Sequence, residues 1–351
     1  MKTLQDLLDQ NTQEAELFVK EGERIRCLAC AHRCLLKNDQ RGICKVRYME
    51  NGVLRMPWGY VGALQVDPIE KKPFFHVFPG TTALSFGMLG CDYHCGYCQN
   101  WVTSQALRDP NSKPNQLTVT AKDLVDQAIR HHSKTIVSTY NEPLITSEWA
   151  KHIFTEAKKA GLLTGYVSNG NATREVLEYI RPVTQLYKID LKGFQAKHYA
   201  ELGGNLQAVL DTIRLVKEMG FWLEIVTLIV PGFNDSESEL KDIASFLVSV
   251  SPDIPWHVTA FHPDYKMTDR HSTSSKTLLR AAEIGKQAGL HYIYAGNIPG
   301  EVQSWENTYC PGCRQLLVER IGFRVKNCFL DGSSCTKCKA VIPGIWQWPS
   351  S

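Results

Sequence analysis

The chain reads as an α/β protein built on a partial (β/α)6-type TIM-like barrel, with small Cys-rich metal-binding segments towards its N- and C-terminal ends. Three observations predict this. Short apolar, β-branched runs alternate with amphipathic helical patterns through the middle of the sequence. The polar and Gly/Pro-rich signatures follow the strand signals, not the helices. The 12 cysteines fall into three groups, and more than 200 cysteine-free residues separate the second from the third.

Strand signals occur at residues 83–88, 135–139, 163–167, 186–191, 222–230, 256–261 and 291–295. Helical patterns lie between them. Thr173 opens a helix through Val176, Leu177 and Ile180 that Pro182 stops. Asn205 caps one with Leu206, Val209, Leu210, Ile213 and Val216 on one face, and Gly220 stands where a C-terminal glycine belongs. Ser236 and Glu239 have capping-box spacing ahead of Leu240, Ile243, Ala244 and Leu247. Similar patterns run through 122–131, 148–159 and 275–287. Such alternation predicts parallel strands joined by right-handed crossovers, hence a full or partial barrel or a doubly wound sheet. The post-strand segments favour the barrel. Gly90-Cys91, Tyr140-Asn141-Glu142-Pro143, Ser168-Asn169-Gly170, Asp190-Leu191-Lys192-Gly193, Pro231-Gly232, His262-Pro263 and Gly296-Asn297 would then converge on one rim. The expected division is a Cys-rich N-terminal segment and lead-in at 1–80, a core barrel at 81–300 and a zinc-ribbon-like segment at 301–351.

Composition narrows the setting. A chain of 351 residues can bury a large core and needs no disulfide staples, so its cysteines point to metal or catalysis in a reducing compartment. The opening residues carry no apolar stretch of signal-peptide length, and no run elsewhere suits a membrane span; the expectation is a cytoplasmic protein without a membrane partner. With 39 Lys+Arg against 36 Asp+Glu and basic residues at most paired, as at Lys71-Lys72, a nucleic-acid partner is not expected.

The segment Gly90-Cys91-Asp92-Tyr93-His94-Cys95-Gly96-Tyr97-Cys98 holds C-x3-C-x2-C directly after the first strand signal. Three thiolates leave a tetrahedral zinc or a cubane cluster one ligand short, and an open position is where a metal acts on a bound molecule. His94 is the alternative fourth ligand, which would make the site structural. Cys91, Cys95, Tyr97 and Cys98 match the C-x3-C-x-aromatic-C signature, and here the chain resembles the radical S-adenosylmethionine (SAM) enzymes. The resemblance implies a [4Fe–4S] cluster on Cys91, Cys95 and Cys98 whose remaining iron chelates SAM. Reductive cleavage then gives methionine and a 5′-deoxyadenosyl radical that abstracts hydrogen from a substrate. It further implies Tyr97 beside the adenine and Glu142 at the SAM amino group, although the Gly-Gly pair of related enzymes is absent. Ser168, Asn169, Asp190 and Lys192 resemble the third- and fourth-strand motifs of pyruvate formate-lyase activating enzymes, which contact the SAM carboxylate and ribose. His262 would meet the ribose or methionine end, and Asn297 would help close the adenine side. Read without the resemblance, Asp190 and Lys192 form an ion pair inside the barrel and His262 caps a loop.

Towards the C-terminus, Cys310-Pro-Gly-Cys313 and Cys335-Thr-Lys-Cys338 form two knuckles at nearly zinc-ribbon spacing, which suits a structural zinc; an auxiliary iron–sulfur cluster competes. Cys328 is left over. Near the N-terminus Cys27, Cys30, Cys34 and Cys44 run as C-x2-C-x3-C-x9-C and suit a zinc knuckle or an auxiliary cluster equally, with His32 an alternative ligand.

These Cys-rich segments, Asp67-Pro68-Ile69-Glu70-Lys71-Lys72-Pro73, Gln99-Asn100-Trp101 and Tyr140-Asn141-Glu142-Pro143 together resemble the AmmeMemoRadiSam system radical SAM enzymes, relatives of the glycyl-radical-enzyme activating enzymes. Ala31 stands where that group has proline. The resemblance implies AMMECR- and Memo-type partner proteins and a low-potential electron donor such as flavodoxin or ferredoxin. The substrate is open among a protein, a peptide and a small molecule. Glycyl-radical activation is one alternative function. A structural metal or iron–sulfur protein, or an electron carrier without catalysis, is another.

Overall fold

The computed structural model describes residues 3–347. Its centre is one eight-stranded sheet. In chain order the strands are β1 (Ala63–Pro68), β2 (Thr82–Gly87), β3 (Thr135–Ser138), β4 (Leu163–Ser168), β5 (Leu186–Asp190), β6 (Trp222–Ile229), β7 (Trp256–Ala260) and β8 (Ile293–Gly296). Strands β2 to β8 are parallel and neighbour one another in sequence order, while β1 pairs antiparallel with β2. Strand order never reverses, which separates this sheet from a doubly wound one and matches a partial barrel. The end strands β1 and β8 do not pair with each other, so the barrel is open.

All seven expected strands form; β1 has no counterpart in the sequence reading. The crossovers are α1 (Ala121–Arg130), α2 (Ser147–Lys159), α3 (Arg174–Ile180), α4 (Leu206–Glu218), α5 (Glu237–Val250) and α6 (Ser275–Ala288). Their caps satisfy backbone donors at the helix starts: Thr173 accepts from Val176 N, Asn205 from Ala208 N and Ser236 from Glu239 N. The capping box expected at Ser236 is half formed, because the Glu239 carboxylate accepts from Phe194 N and Gln195 Nε2 instead. Helix α4 buries Val209, Ile213 and Val216 completely against the sheet, each stabilising by roughly 1.5–3 kcal/mol. The far end of the barrel is plugged by Ile69, Phe74, Val77 and Phe78, packed on Ala83, Val137 and Leu186.

Two small β units flank the barrel. On the N-terminal side, Thr12–Glu14, Tyr48–Glu50 and Val53–Pro57 form one antiparallel sheet, and Phe18–Glu21, Arg24–Cys27 and Leu35–Leu36 another. This side is joined to α2 by a buried, bidentate ion pair, Arg47 Nη2 to Glu148 Oε1 at 2.7 Å and Arg47 Nη1 to Glu148 Oε2 at 2.8 Å. On the C-terminal side, Thr308–Tyr309, Leu316–Ile321 and Arg324–Cys328 form a three-stranded antiparallel sheet. It docks on β8 through a second core that includes Phe75, Tyr292, Tyr294, Leu317 and Val318. Buried Arg320 reaches from this sheet to Phe75 O at 2.7 Å and lies 3.7 Å from Glu70. Among the described residues no helix is long and apolar enough to cross a membrane.

Candidate active site at the barrel rim

The cysteine loop leaves β2 through Gly90, whose φ of +94° lies in the left-handed region. A Cβ there would stand 2.7 Å from Val46 Cγ1, so glycine answers both the turn and the close approach of the N-terminal segment. On its outer side the loop rests on the turn after the short helix Ala196–Leu202. His94 N donates to Leu202 O, and a Cβ on Gly203 would come within 2.5 Å of the His94 ring. His94 is thus exposed and turned away from the cysteines. It does not complete a fourth-ligand site.

Cys91, Cys95 and Cys98 line a cavity of about 110 Å3 together with Glu142, Ser168, Asn169, Asp190 and Lys192. The loops after β2, β3, β4 and β5 therefore meet, as the barrel rim requires. Among the described residues this cavity has no fourth cysteine and no histidine in its lining. Burial pushes the Cys91 thiol well up, helped by the charges of Asp92 and Glu142, and pushes Cys95 up to about 12. Such thiols ionise only when a positive centre takes up their charge, so the donor set suits an inorganic centre with one open position.

Glu142 is the best-held acid of the site. Its carboxylate accepts from Leu144 N (3.1 Å), Ser168 Oγ (2.8 Å) and Asn169 N (2.6 Å). Burial and then the charge of Asp92 push it up to about 8 despite those donors. A fully buried carboxyl at such a value stands to gain from a cationic neighbour. Asp190, beyond it, is paired with Lys188 and with Lys192 at 3.4 Å. The ion-pair reading of Asp190 and Lys192 thus holds in the protein alone.

The remaining expected residues lie elsewhere around the rim. Tyr97 is buried edge-on to Phe233, with the Lys192 ammonium 6.0 Å from its ring centre. His262 is exposed and lies 2.8 Å from Gln99 Nε2. Asn297 is exposed, donates to Ala260 O at 2.8 Å and lines a larger chamber of about 360 Å3. That chamber runs into the barrel past Lys188, Val226, Leu228, His257 and Tyr294. It shares Asn100, Thr139, Tyr140, Val167 and Asp190 with the cysteine cavity, so the two spaces adjoin.

Several site residues escaped the sequence reading. Asp92, fully buried, accepts from Asn169 Nδ2 at 2.7 Å and Asn171 Nδ2 at 2.8 Å, tying the cysteine loop to the loop after β4. Ser104 Oγ lies 3.2 Å from Cys98 Sγ. Tyr140 takes a φ of +70° and places its hydroxyl 2.9 Å from Ser85 Oγ and 3.2 Å from Lys72 Nζ. The signals available were an acid inside the C-x3-C spacing and an asparagine three residues after Ser168.

The two outer cysteine sets differ. Cys310, Cys313, Cys335 and Cys338 have sulfurs all within 4.8 Å of one another, with Cys310–Cys338 at 3.5 Å and Cys313–Cys335 at 3.6 Å. These spacings are too long for disulfides and close to the roughly 3.8 Å that 2.3 Å bonds to one tetrahedral ion require. The Cys338 backbone N–H holds the Cys335 thiol down to about 6. Cys328 is exposed and apart. Of the N-terminal set, Cys34 and Cys44 direct their sulfurs to either side of Gly42, but among the described residues no three sulfurs of Cys27, Cys30, Cys34 and Cys44 stand within 4.8 Å of one another. None of the twelve cysteines is in a disulfide.

A sequence profile described as the Radical SAM superfamily matches residues 87–247, the stretch from the end of β2 into α5. An uncharacterized protein of Methanocaldococcus jannaschii is 37% identical over 330 residues, covering 93% of this chain and 97% of its own. A pyruvate formate-lyase-activating enzyme of Staphylococcus aureus is 22% identical over 200 residues, covering 52% of this chain and 76% of its own. Among solved structures, a radical SAM methyltransferase from Sphaerobacter thermophilus aligns with a TM-score of 0.49 and 15% identity, covering 87% of this chain and 81% of that one. On its own three-cysteine loop, the matching profile and the near-full-length relative, the chain belongs to the Radical SAM superfamily, whose members are enzymes that use a [4Fe–4S] cluster and SAM.

Proposed function

We propose that the protein cleaves SAM at Cys91, Cys95 and Cys98 and turns the resulting radical on a substrate held in the 360 Å3 chamber. The observation that carries this is the junction of the two spaces, a three-thiol cavity that adjoins, through Tyr140 and Asp190, a chamber in the mouth of the barrel. When bound, the reduced cluster supplies the electron that cleaves the sulfonium, giving methionine and a 5′-deoxyadenosyl radical. The chain's own residues do the holding. Glu142 offers a buried carboxylate to the SAM ammonium, Lys192 a cation to its carboxylate, and Ser168 and Asn169 fix Glu142 in place. Tyr97, His262 and Asn297 complete the adenosine side in this reading. The chamber's lysines are paired within the chain, Lys71 and Lys72 with Asp67 and Lys188 with Asp190.

The test is anaerobic. Reconstituted protein with dithionite and SAM is expected to yield 5′-deoxyadenosine, and Cys91→Ala, Cys95→Ala or Cys98→Ala to abolish it. No cleavage by fully loaded protein would refute the reading. The match to an activating enzyme favours a second reading of the substrate, a glycyl radical site on a protein partner. Deuterium passing from a labelled substrate into 5′-deoxyadenosine distinguishes a protein from a small molecule.

The same reading makes the C-terminal four-cysteine set a structural zinc site, on its single-ion spacing. It keeps the division at residues 80 and 300, the cytoplasm as the setting, flavodoxin or ferredoxin as the donor, and AMMECR- and Memo-type proteins as partners of an AmmeMemoRadiSam system. Their addition changing the yield of 5′-deoxyadenosine would support the last point; indifference would count against it.

A further inference from the structure

We propose that Cys27, Cys30, Cys34 and Cys44 hold a second [4Fe–4S] cluster, placed against the active-site loop so that it passes electrons to the first. The C-terminal set provides an internal reference, since there the same chain brings four sulfurs to the spacing of a single ion. The N-terminal four do not take that spacing, and neither do Cys91, Cys95 and Cys98. Thiolates of a cubane each bind a different iron, so they stand apart around a core of iron and sulfide, whereas those of a zinc site crowd one ion.

Two of the N-terminal sulfurs, those of Cys34 and Cys44, nonetheless face one space. A Cβ on Gly42 would lie 3.6 Å from Cys34 Sγ and 3.8 Å from Cys44 Sγ, so the missing side chain leaves the ground between them open. Ile43 N approaches Cys34 Sγ at 3.4 Å, an N–H···S contact of the kind that tunes cluster potentials. Cys27, Cys30 and Cys44 are buried, which excludes water from the centre.

The location supplies the role. His32 Nε2 lies 3.2 Å from Asp92 O, and Ala31 N donates to Asn171 O, while Asn171 holds the Asp92 carboxylate. Arg108 donates to both Ile43 O and Tyr93 O. Cys44 O would be 3.1 Å from a Cβ on Gly90, the residue before Cys91. The two cysteine sets are therefore joined by several short polar contacts. In the step proposed, a low-potential flavodoxin or ferredoxin gives one electron to the N-terminal cluster, taking it from 2+ to 1+. The cluster returns to 2+ as the active-site cluster goes from 2+ to 1+, so the donor is oxidised by one electron and the active site reduced by one.

The inference rests on the active-site reading for its acceptor, and the experiment separates the two. Anaerobically reconstituted full-length protein is expected to hold about eight irons, about eight acid-labile sulfides and about one zinc per chain. About four irons with about two zincs would overturn the proposal, and that count needs no variant. A Cys91→Ala/Cys95→Ala/Cys98→Ala variant should keep about four irons with the Mössbauer doublet of a [4Fe–4S]2+ cluster; an iron-free variant that binds extra zinc would overturn it. If that variant keeps its cluster while the cluster signal of the unaltered protein ignores SAM, the second cluster stands and the active-site reading fails. In Cys30→Ala/Cys44→Ala protein, the SAM-responsive electron paramagnetic resonance signal reports a folded active site. Stopped-flow reduction of that site by reduced flavodoxin should lose its fast phase, and an unchanged trace would overturn the relay.

Discussion

The two ends of the chain each carry four cysteines, yet they use them differently. At the C-terminal end two Cys-x2-Cys turns face each other across short hairpins, where Arg314 N donates to Cys310 O and Lys339 N to Cys335 O. The turns repeat one geometry, and the four sulfurs close on one point. At the N-terminal end the spacing is uneven and the cysteines come from the end of one strand and two irregular loops. Those loops are pressed on the active-site loop and take their shape partly from it. On the readings proposed above, cysteine count alone does not set the metal; the regularity of the turns and what they pack against does.

The sharpest break in this comparison comes from removing a C-terminal ligand. If the proposed zinc is bound there, Cys335→Ser is expected to release it and unfold residues 308–347, because binding by a structural zinc contributes on the order of 10 kcal/mol to so small a unit. Hydrogen exchange should rise there alone, and iron content should not change. Loss of iron with the zinc would show that the two ends are not independent.

Much of the architecture was legible because its signals are local. The run Trp222–Ile229 carries the β-branched Ile225, Val226, Thr227 and Ile229 and is buried at all but Trp222 and Leu228, and Thr173 and Asn205 each bond a backbone N–H three residues on. Strand β1 was not legible, since Gln65, Asp67 and Pro68 interrupt its apolar pattern and its pairing with β2 decides it. The site divides in the same way. Cys91, Cys95 and Cys98 announce themselves by spacing, and Glu142 by its place after a strand. Asp92 and Asn171 do not, because their contact spans 79 positions of chain and exists only once the barrel rim has formed. Nor was Lys188 singled out: a lysine within a buried strand reads as an exception until its partner Asp190 is seen beside it.

The N-terminal end can be loosened from the barrel without touching a cysteine. Arg47, three residues after Cys44, and Glu148 are 1% and 2% exposed, and their ion pair is the main polar bond between that end and α2. Arg47→Met leaves the Glu148 carboxylate buried without its partner, which costs about 3–5 kcal/mol. A Glu148→Leu change added to it should return part of that loss, because the pair's desolvation is then avoided on both sides. Denaturant unfolding of the double variant and of both single variants, Arg47→Met and Glu148→Leu, measures the coupling. Exchange should rise in Arg24–Cys27 and not in Leu316–Ile321; a uniform rise would show one cooperative unit in place of two attached ends.

The C-terminal end depends on a histidine where the N-terminal end depends on an arginine, and pH should therefore separate them. His76 is fully buried, 2.6 Å from Pro343 O and 2.6 Å from Tyr294 Oη, among the rings of Trp222, Tyr292 and Trp346. Burial pushes it down to about 4, although the nearby Glu224 charge opposes this; Arg320 and His257 push the same way as burial. Unfolded, it titrates near 6.5, so between those values the unfolded chain binds the extra proton. Stability from this group is complete above pH 6.5 and is lost as pH falls towards 4, with about 2 kcal/mol gone by pH 5. Glu148 is held below its ordinary range, with Arg47 overcoming the cost of burial, so its share of stability persists until pH falls further. Between pH 7 and pH 5, exchange in Leu316–Ile321 should rise while that in Arg24–Cys27 stays level. His76→Gln keeps a hydrogen-bonding side chain but does not titrate, and should flatten the pH dependence of the C-terminal end. If its slope matches that of the unaltered protein, protonation of the Cys310, Cys313, Cys335 and Cys338 thiolates and not of His76 governs that end.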